Sequence, residues 1–183
     1  MKTVILLRHA KSDWSDAGLR DFDRPLNGRG ERAAALMGHW ARREALTFDA
    51  IVASPAARVR DTLDKFMESY GPHPEPIWDK RIYLASAETI AEVIAERDNS
   101  SHTVLVVGHN PGLEEFILGH VPDDGASALR DDVAEKFPTA SMAVLDLDID
   151  RWDDLVGAEA EAGRLRRFIR PRDLDPALGP ERG

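Results

Sequence analysis

The chain has 183 residues, 43% hydrophobic and 31% charged, which suits one folded domain and lies outside the compositions of disordered or membrane-spanning chains. Its 24 Lys plus Arg against 33 Asp plus Glu give a net charge of -9, which disfavours non-specific attraction to nucleic acid or an anionic membrane but leaves room for a local basic pocket. Cysteine is absent, excluding disulfides, Cys-based zinc sites and thiol nucleophiles.

In chain order, residues 2–7 form a short β-branched apolar run, as expected of a strand buried on both faces, and it stops at Arg8-His9. The apolar stretch is shorter than the ~7 to 15 residues of a signal-peptide core, so a cytoplasmic location is expected. Residues 10–26 are polar, with Gly18 and Pro25, and read as a long functional loop. From 27 to about 45, Ala33, Leu36, Met37, Trp40 and Ala41 recur at helical spacing behind Asn27 as N-cap. Residues 48–53 repeat the first strand's pattern, and Ser54-Pro55 reads as an N-cap with proline opening a helix over 55–70. Prolines 72, 74 and 76 then break the chain, with a short strand expected at Ile77-Trp78 and a helix over about 86–97. Residues 103–107 (TVLVV) are a third buried strand, ending at Gly108-His109-Asn110-Pro111 ahead of a helix over 112–119.

Strand then helix, three times over, predicts right-handed βαβ units in a doubly wound sheet. Residues 141–150 alternate apolar residues with Asp146, Asp148 and Asp150, a half-exposed antiparallel pattern that the basic stretch 164–170 would pair with as a solvated edge. The expected architecture is a three-layer α/β/α sandwich, mostly parallel with an antiparallel edge. One domain over 1–172 and a frayed tail over 173–183 complete the expectation.

Ligands of open α/β sheets sit outside the carboxyl ends of the strands. Those ends carry Arg8-His9, Ser54-Pro55 with Arg58 one turn into the helix, and Gly108-His109-Asn110. A lone His or Arg in such a place is ordinarily structural or solvated. Two arginines and two histidines at three strand ends instead point to one anion-binding crevice, since guanidinium groups hold phosphate oxygens bidentately. Helix N-termini after Ser54 and Pro111 would reinforce the field. A metal would need carboxylate partners and would be repelled by Arg8 and Arg58, so neither metal nor cofactor is expected. Walker A and dinucleotide-binding glycine motifs are missing.

At Leu7-Arg8-His9-Ala10-Lys11-Ser12 the sequence resembles the histidine phosphatase superfamily, whose hallmark is Arg-His-Gly or Arg-His-Ala after the first strand. Arg24-Pro25-Leu26-Asn27-x-Arg29-Gly30, Ser54-Pro55-x-x-Arg58-x-x-x-Thr62 and Gly108-His109-Asn110-Pro111 follow in the family's order, covering about residues 2–145. The short chain and the His-Ala variant look most like the SixA-type phosphohistidine phosphatase branch. The resemblance implies a phosphoglycerate mutase-like fold, His9 as the transiently phosphorylated nucleophile, Arg8 and Arg58 as phosphate clamp, and His109 as the second pocket histidine. It also makes Ser12, Ser15 and Asn27 candidate substrate-binding residues.

Relatives often carry a Glu or Asp in a Leu-Tyr-Glu setting that protonates the leaving group; here the stretch is Ile82-Tyr83-Leu84, with Glu88 a helical turn on. The expected activity is hydrolysis of phosphohistidine or activated phosphate monoesters. Its partner would be a phosphorylated protein or a small phosphorylated metabolite, with no nucleic acid and no membrane. A broader phosphomonoesterase, a mutase and a non-catalytic phospho-ligand module are the alternatives. Residues 120–140 are expected to form an acidic lid or rim over the pocket.

Overall fold

A computed structural model describes residues 1–157 and 163–180. Its centre is a six-stranded sheet in the order β3-β2-β4-β1-β5-β6. β1 (Lys2–Arg8), β2 (Ala50–Ala53), β3 (Pro76–Trp78) and β4 (Thr103–Gly108) run parallel, whereas β5 (Met142–Leu147) and β6 (Gly163–Ile169) are antiparallel. Along β1, Val4 and Leu6 enter one core while Ile5 and Leu7 enter the other. That is why the strand reads as unbroken apolar sequence. Each such fully buried aliphatic side chain contributes about 1.5 to 3 kcal/mol relative to exposure.

One face is covered by α1 (Gly28–Arg43) and α2 (Ala57–Tyr70), the other by α3 (Ala87–Ala95), α4 (Gly112–His120) and α5 (Ala128–Glu135). The result is the expected three-layer α/β/α sandwich. The chain leaves β1 toward one face and β4 toward the other, although these strands are neighbours. A crevice therefore opens at their carboxyl ends, where crossovers diverge.

Asn27 caps α1, its side-chain oxygen accepting from the Gly30 amide at 2.8 Å. Gly30 permits close approach here, because a β-carbon would overlap the Lys11 carbonyl.

Four expectations change. Ser54 does not cap α2; the helix begins at Ala57 behind Ala56, without a side-chain cap, because the Ser54 hydroxyl is drawn to His109. β5 is buried on both faces except at Asp146, since β1 and β6 flank it and helices cover both of its sides. Asp146 pairs with Arg166 at 2.9 Å, so the sheet edge is β6, with Arg164, Arg166 and Arg167 exposed. The tail is folded as far as 180: α6 (Pro171–Leu174) and a turn over Pro176–Leu178 follow β6, and Leu174 and Leu178 pack on the α1/α2 core. Residues 181–183 of that expected tail lie outside the described residues.

Segment 120–140 forms a rim only at its end, and its earlier part does not lie over the crevice. Asp124 and Ser127 line a depression against β6 residues Gly163 to Arg166, and Arg130 is held by the Val121 carbonyl at 3.0 Å and by Asp123. That end, from Lys136 on, reaches the strand ends.

Candidate active site

His9, immediately after β1, and His109, immediately after β4, face one another with ring centroids 5.3 Å apart. Register explains the meeting, because Arg8 pairs with Gly108 across the two parallel strands. Arg58 arrives from the first turn of α2, and its Nη2 lies 3.2 Å from His109 Nδ1. Arg8 Nη1 donates to the Phe137 carbonyl at 2.9 Å, anchoring the guanidinium at the crevice wall. Thus His9, Arg8, Arg58 and His109 come together. His9, Arg58 and His109 are 8%, 5% and 3% exposed, so their electrostatics operate away from bulk water.

Hydrogen bonds fix the histidine tautomers. His9 Nδ1 lies 2.7 Å from the Ala10 carbonyl, which can only accept, so Nδ1 carries the proton and Nε2 the lone pair. His109 Nδ1 faces the guanidinium, which can only donate, while its Nε2 lies 2.8 Å from Ser54 Oγ. His109 Nε2 is accordingly the protonated nitrogen. The backbone after His9 is pinned by Thr62, whose hydroxyl accepts from the Ala10 amide at 2.9 Å and donates to the Arg58 carbonyl at 2.6 Å. Nucleophile loop and clamp helix are thereby tied through one side chain.

Burial, and then the charge of Arg8 and Arg58, lowers the His9 pKa to about 4. Burial, followed by His9 and Arg58, lowers His109 to about 3. Both imidazoles are neutral near pH 7. Burial likewise lowers Arg8 from the ordinary arginine value, with Glu114 opposing and Arg58 adding to the shift.

Two contacts escaped the sequence. Asp21, in the short turn Asp21–Asp23 of the 10–26 loop, accepts from Arg58 Nη2 at 3.0 Å and from the Tyr83 hydroxyl at 2.6 Å. The Tyr83 hydroxyl, and then Arg58, holds its carboxyl below the usual aspartate range. Tyr83 in turn packs edge-on against His109, with centroids 5.3 Å apart. No periodic signal marks either residue, since only the folded loop brings Asp21 to Arg58.

The remaining candidates are placed otherwise. Asn27 is engaged as the α1 cap, and its Nδ2 reaches the Ser12 carbonyl at 3.5 Å. Ser12 bridges to Leu26 through its backbone. Ser15 is exposed in an Asx turn with Asp13. Leu84 is 58% exposed. Glu88 sits in the first turn of α3, lining a different cavity with Glu92 and Glu115. Among the described residues, no three His, Asp or Glu side chains converge as a metal would require, and no helix is long and apolar enough to cross a membrane.

The family model for the histidine phosphatase superfamily (branch 1) matches residues 4–82. An uncharacterised protein of Mycobacterium tuberculosis is 37% identical over 140 residues, covering 76% of this chain and 85% of its own length. The crystal structure of a protein assigned as phosphohistidine phosphatase SixA, from Agrobacterium tumefaciens, superposes with a TM-score of 0.77 at 31% identity, covering 93% of this chain and 98% of that one. A protein of the same assignment from Nakamurella multipartitia gives a TM-score of 0.79 at 29% identity, with 93% and 96% covered.

Proposed function

The chain belongs to the histidine phosphatase superfamily, as a SixA-type member, and from that premise we propose that it hydrolyses phosphohistidine or similarly activated phosphoryl groups through a phosphorylated His9. The observation that carries this reading is the His9 Nδ1 contact to the Ala10 carbonyl. It fixes the proton on Nδ1 while burial keeps the ring neutral, so the Nε2 electron pair is available to phosphorus.

In the first step Nε2 attacks phosphorus, a P–N bond forms, and the bond to the leaving group breaks with its electron pair departing on that group. Arg8 and Arg58 hold the equatorial oxygens as charge spreads over them. In the second step water attacks the phosphohistidine, the P–N pair returns to Nε2, and orthophosphate leaves. His109 accepts from Arg58 Nη2 through Nδ1 at 3.2 Å and so orients that guanidinium in the pocket. For orthophosphate to reach Arg58, the Asp21 carboxylate swings off the guanidinium.

The leaving group decides the substrate class. An alkoxide is so basic that a general acid ordinarily contributes ~10² to 10⁴-fold. Leu84 carries no proton to give, and Asp21 is ionised beside Arg58. Imidazole departs from phosphohistidine with a conjugate acid of pKa about 6.5, needing no such help. A panel of phosphohistidine protein, p-nitrophenyl phosphate and glycerol phosphate tests this. The first two should exceed the third in kcat/KM by at least ~10²-fold, and Leu84→Glu should narrow the gap. Equal rates on all three would overturn the leaving-group argument.

A further inference from the structure

Beside the catalytic crevice lies a cavity of about 360 Å³ that shares Arg8 as a wall. Its cationic lining is Arg8, Lys11, Arg29, Lys136, Arg170 and Arg172, and no carboxylate is among the residues that line it. In a chain of net charge -9, this concentration runs against the bulk composition. Like charges gathered in a concave, partly desolvated space repel one another, and an anion relieves that repulsion.

The walls are built from separate parts of the chain. Arg29, in the first turn of α1, donates to the Gly179 carbonyl and fixes the C-terminal turn across the opening. Arg170 is held bidentately by Asp173, Nε to Oδ2 and Nη2 to Oδ1 at 3.0 Å each, so part of its charge is already met. Lys136 and Arg172 form no ion pair with a described residue. The volume is that of a small-molecule pocket rather than a flat protein-docking face.

We propose that this cavity is a leaving-group subsite for a second phosphate, so that the substrates include phosphoanhydrides. The inference rests on the reading of His9 as nucleophile and adds the chemistry of what departs. The observation that carries it is the cationic cavity, whose wall Arg8 immediately precedes the reacting His9 in the chain. His9 Nε2 attacks the terminal phosphorus, the P–O bond to the bridging oxygen breaks, and its electron pair leaves on the second phosphate. The departing group gains one negative charge and requires no proton, because a phosphate monoester has its second pKa near 6. Arg8 spans both phosphates, and Lys136 and Arg172 meet the charge that develops on the leaving one. Water then releases orthophosphate from His9.

The test uses the full chain and the double variant Lys136→Gln/Arg172→Gln, which leaves the crevice residues intact. Calorimetric titration with non-hydrolysable methylenediphosphonate and with orthophosphate reads binding without turnover. Hydrolysis of phenyl diphosphate is measured beside p-nitrophenyl phosphate. Methylenediphosphonate should bind at least tenfold more tightly than orthophosphate. The variant should lose that advantage and at least tenfold in kcat/KM on phenyl diphosphate, while staying within twofold on p-nitrophenyl phosphate. Equal affinity of the two anions, or an unchanged ratio in the variant, would overturn the subsite. So would a gain seen only with a phosphopeptide flanked by glutamates, which would make the cavity a rim for acidic protein. If no phosphate ester or phosphoramidate is cleaved but the diphosphonate advantage depends on Lys136 and Arg172, the subsite stands and the hydrolytic reading falls.

Discussion

At the scale of single residues, Asp21 sets the resting state of the clamp. Its carboxylate lies 3.0 Å from Arg58 Nη2, taking up guanidinium capacity that an incoming phosphate would use, and its charge repels a dianion. Asp21→Asn should therefore tighten competitive inhibition by orthophosphate several-fold, the equivalent of about 1 kcal/mol for a partly exposed pair. Weaker inhibition would mean that Asp21 positions Arg58 instead of competing for it. The contact of this carboxylate with Arg58 and Tyr83 was not legible in the sequence, because a polar loop has no period from which to infer what it touches. His9, Arg8, Arg58 and His109 were legible for the opposite reason. Each lies at a strand end or a short offset beyond it, and the parallel register of β1 with β4 brings those ends together.

At the scale of elements, the two-sided burial of β1, β2 and β4 leaves continuous apolar runs, which made those strands legible. The same signal failed for β5, where Asp146 interrupts a strand that is nonetheless covered on both sides, and for Ser54, because Ser-Pro is equally the signature of a helix cap. The coupling between elements runs through Thr62. Thr62→Val keeps the shape but leaves the Ala10 amide without its acceptor in a buried site, at a cost of about 1 to 3 kcal/mol. The variant should melt lower in urea and lose kcat more than it raises KM, as the loop carrying His9 loosens. Wild-type stability together with wild-type kcat would show that the tie from α2 is dispensable.

At the scale of the whole molecule, a net negative chain concentrates positive charge along one side of the strand ends while burying two neutral histidines there. The cationic cavity could not be read from the sequence, since Arg29, Lys136 and Arg172 lie far apart along the chain and meet only through α6 and the turn after it. Burial of the histidines has a thermodynamic consequence. Their folded-state pKa values, about 4 for His9 and about 3 for His109, lie below the ordinary 6.5. The unfolded chain therefore binds more protons between those limits, and stability falls as pH drops below 6.5. From pH 7 to pH 5 the loss should reach roughly 2 kcal/mol for each histidine. Urea melts of the wild type and of His9→Gln/His109→Gln would separate this contribution, because the variant should lose much less over the same interval. Parallel losses in both proteins would place the acid sensitivity elsewhere.

Rapid quench with ³²P-labelled phosphohistidine protein, followed by mapping of the labelled peptide, tests whether His9 is the nucleophile. A transient, acid-labile and base-stable phosphoryl group should appear on the peptide containing His9, and His9→Asn should lack it together with essentially all turnover. Full turnover in His9→Asn, or label only on another residue, would contradict that role.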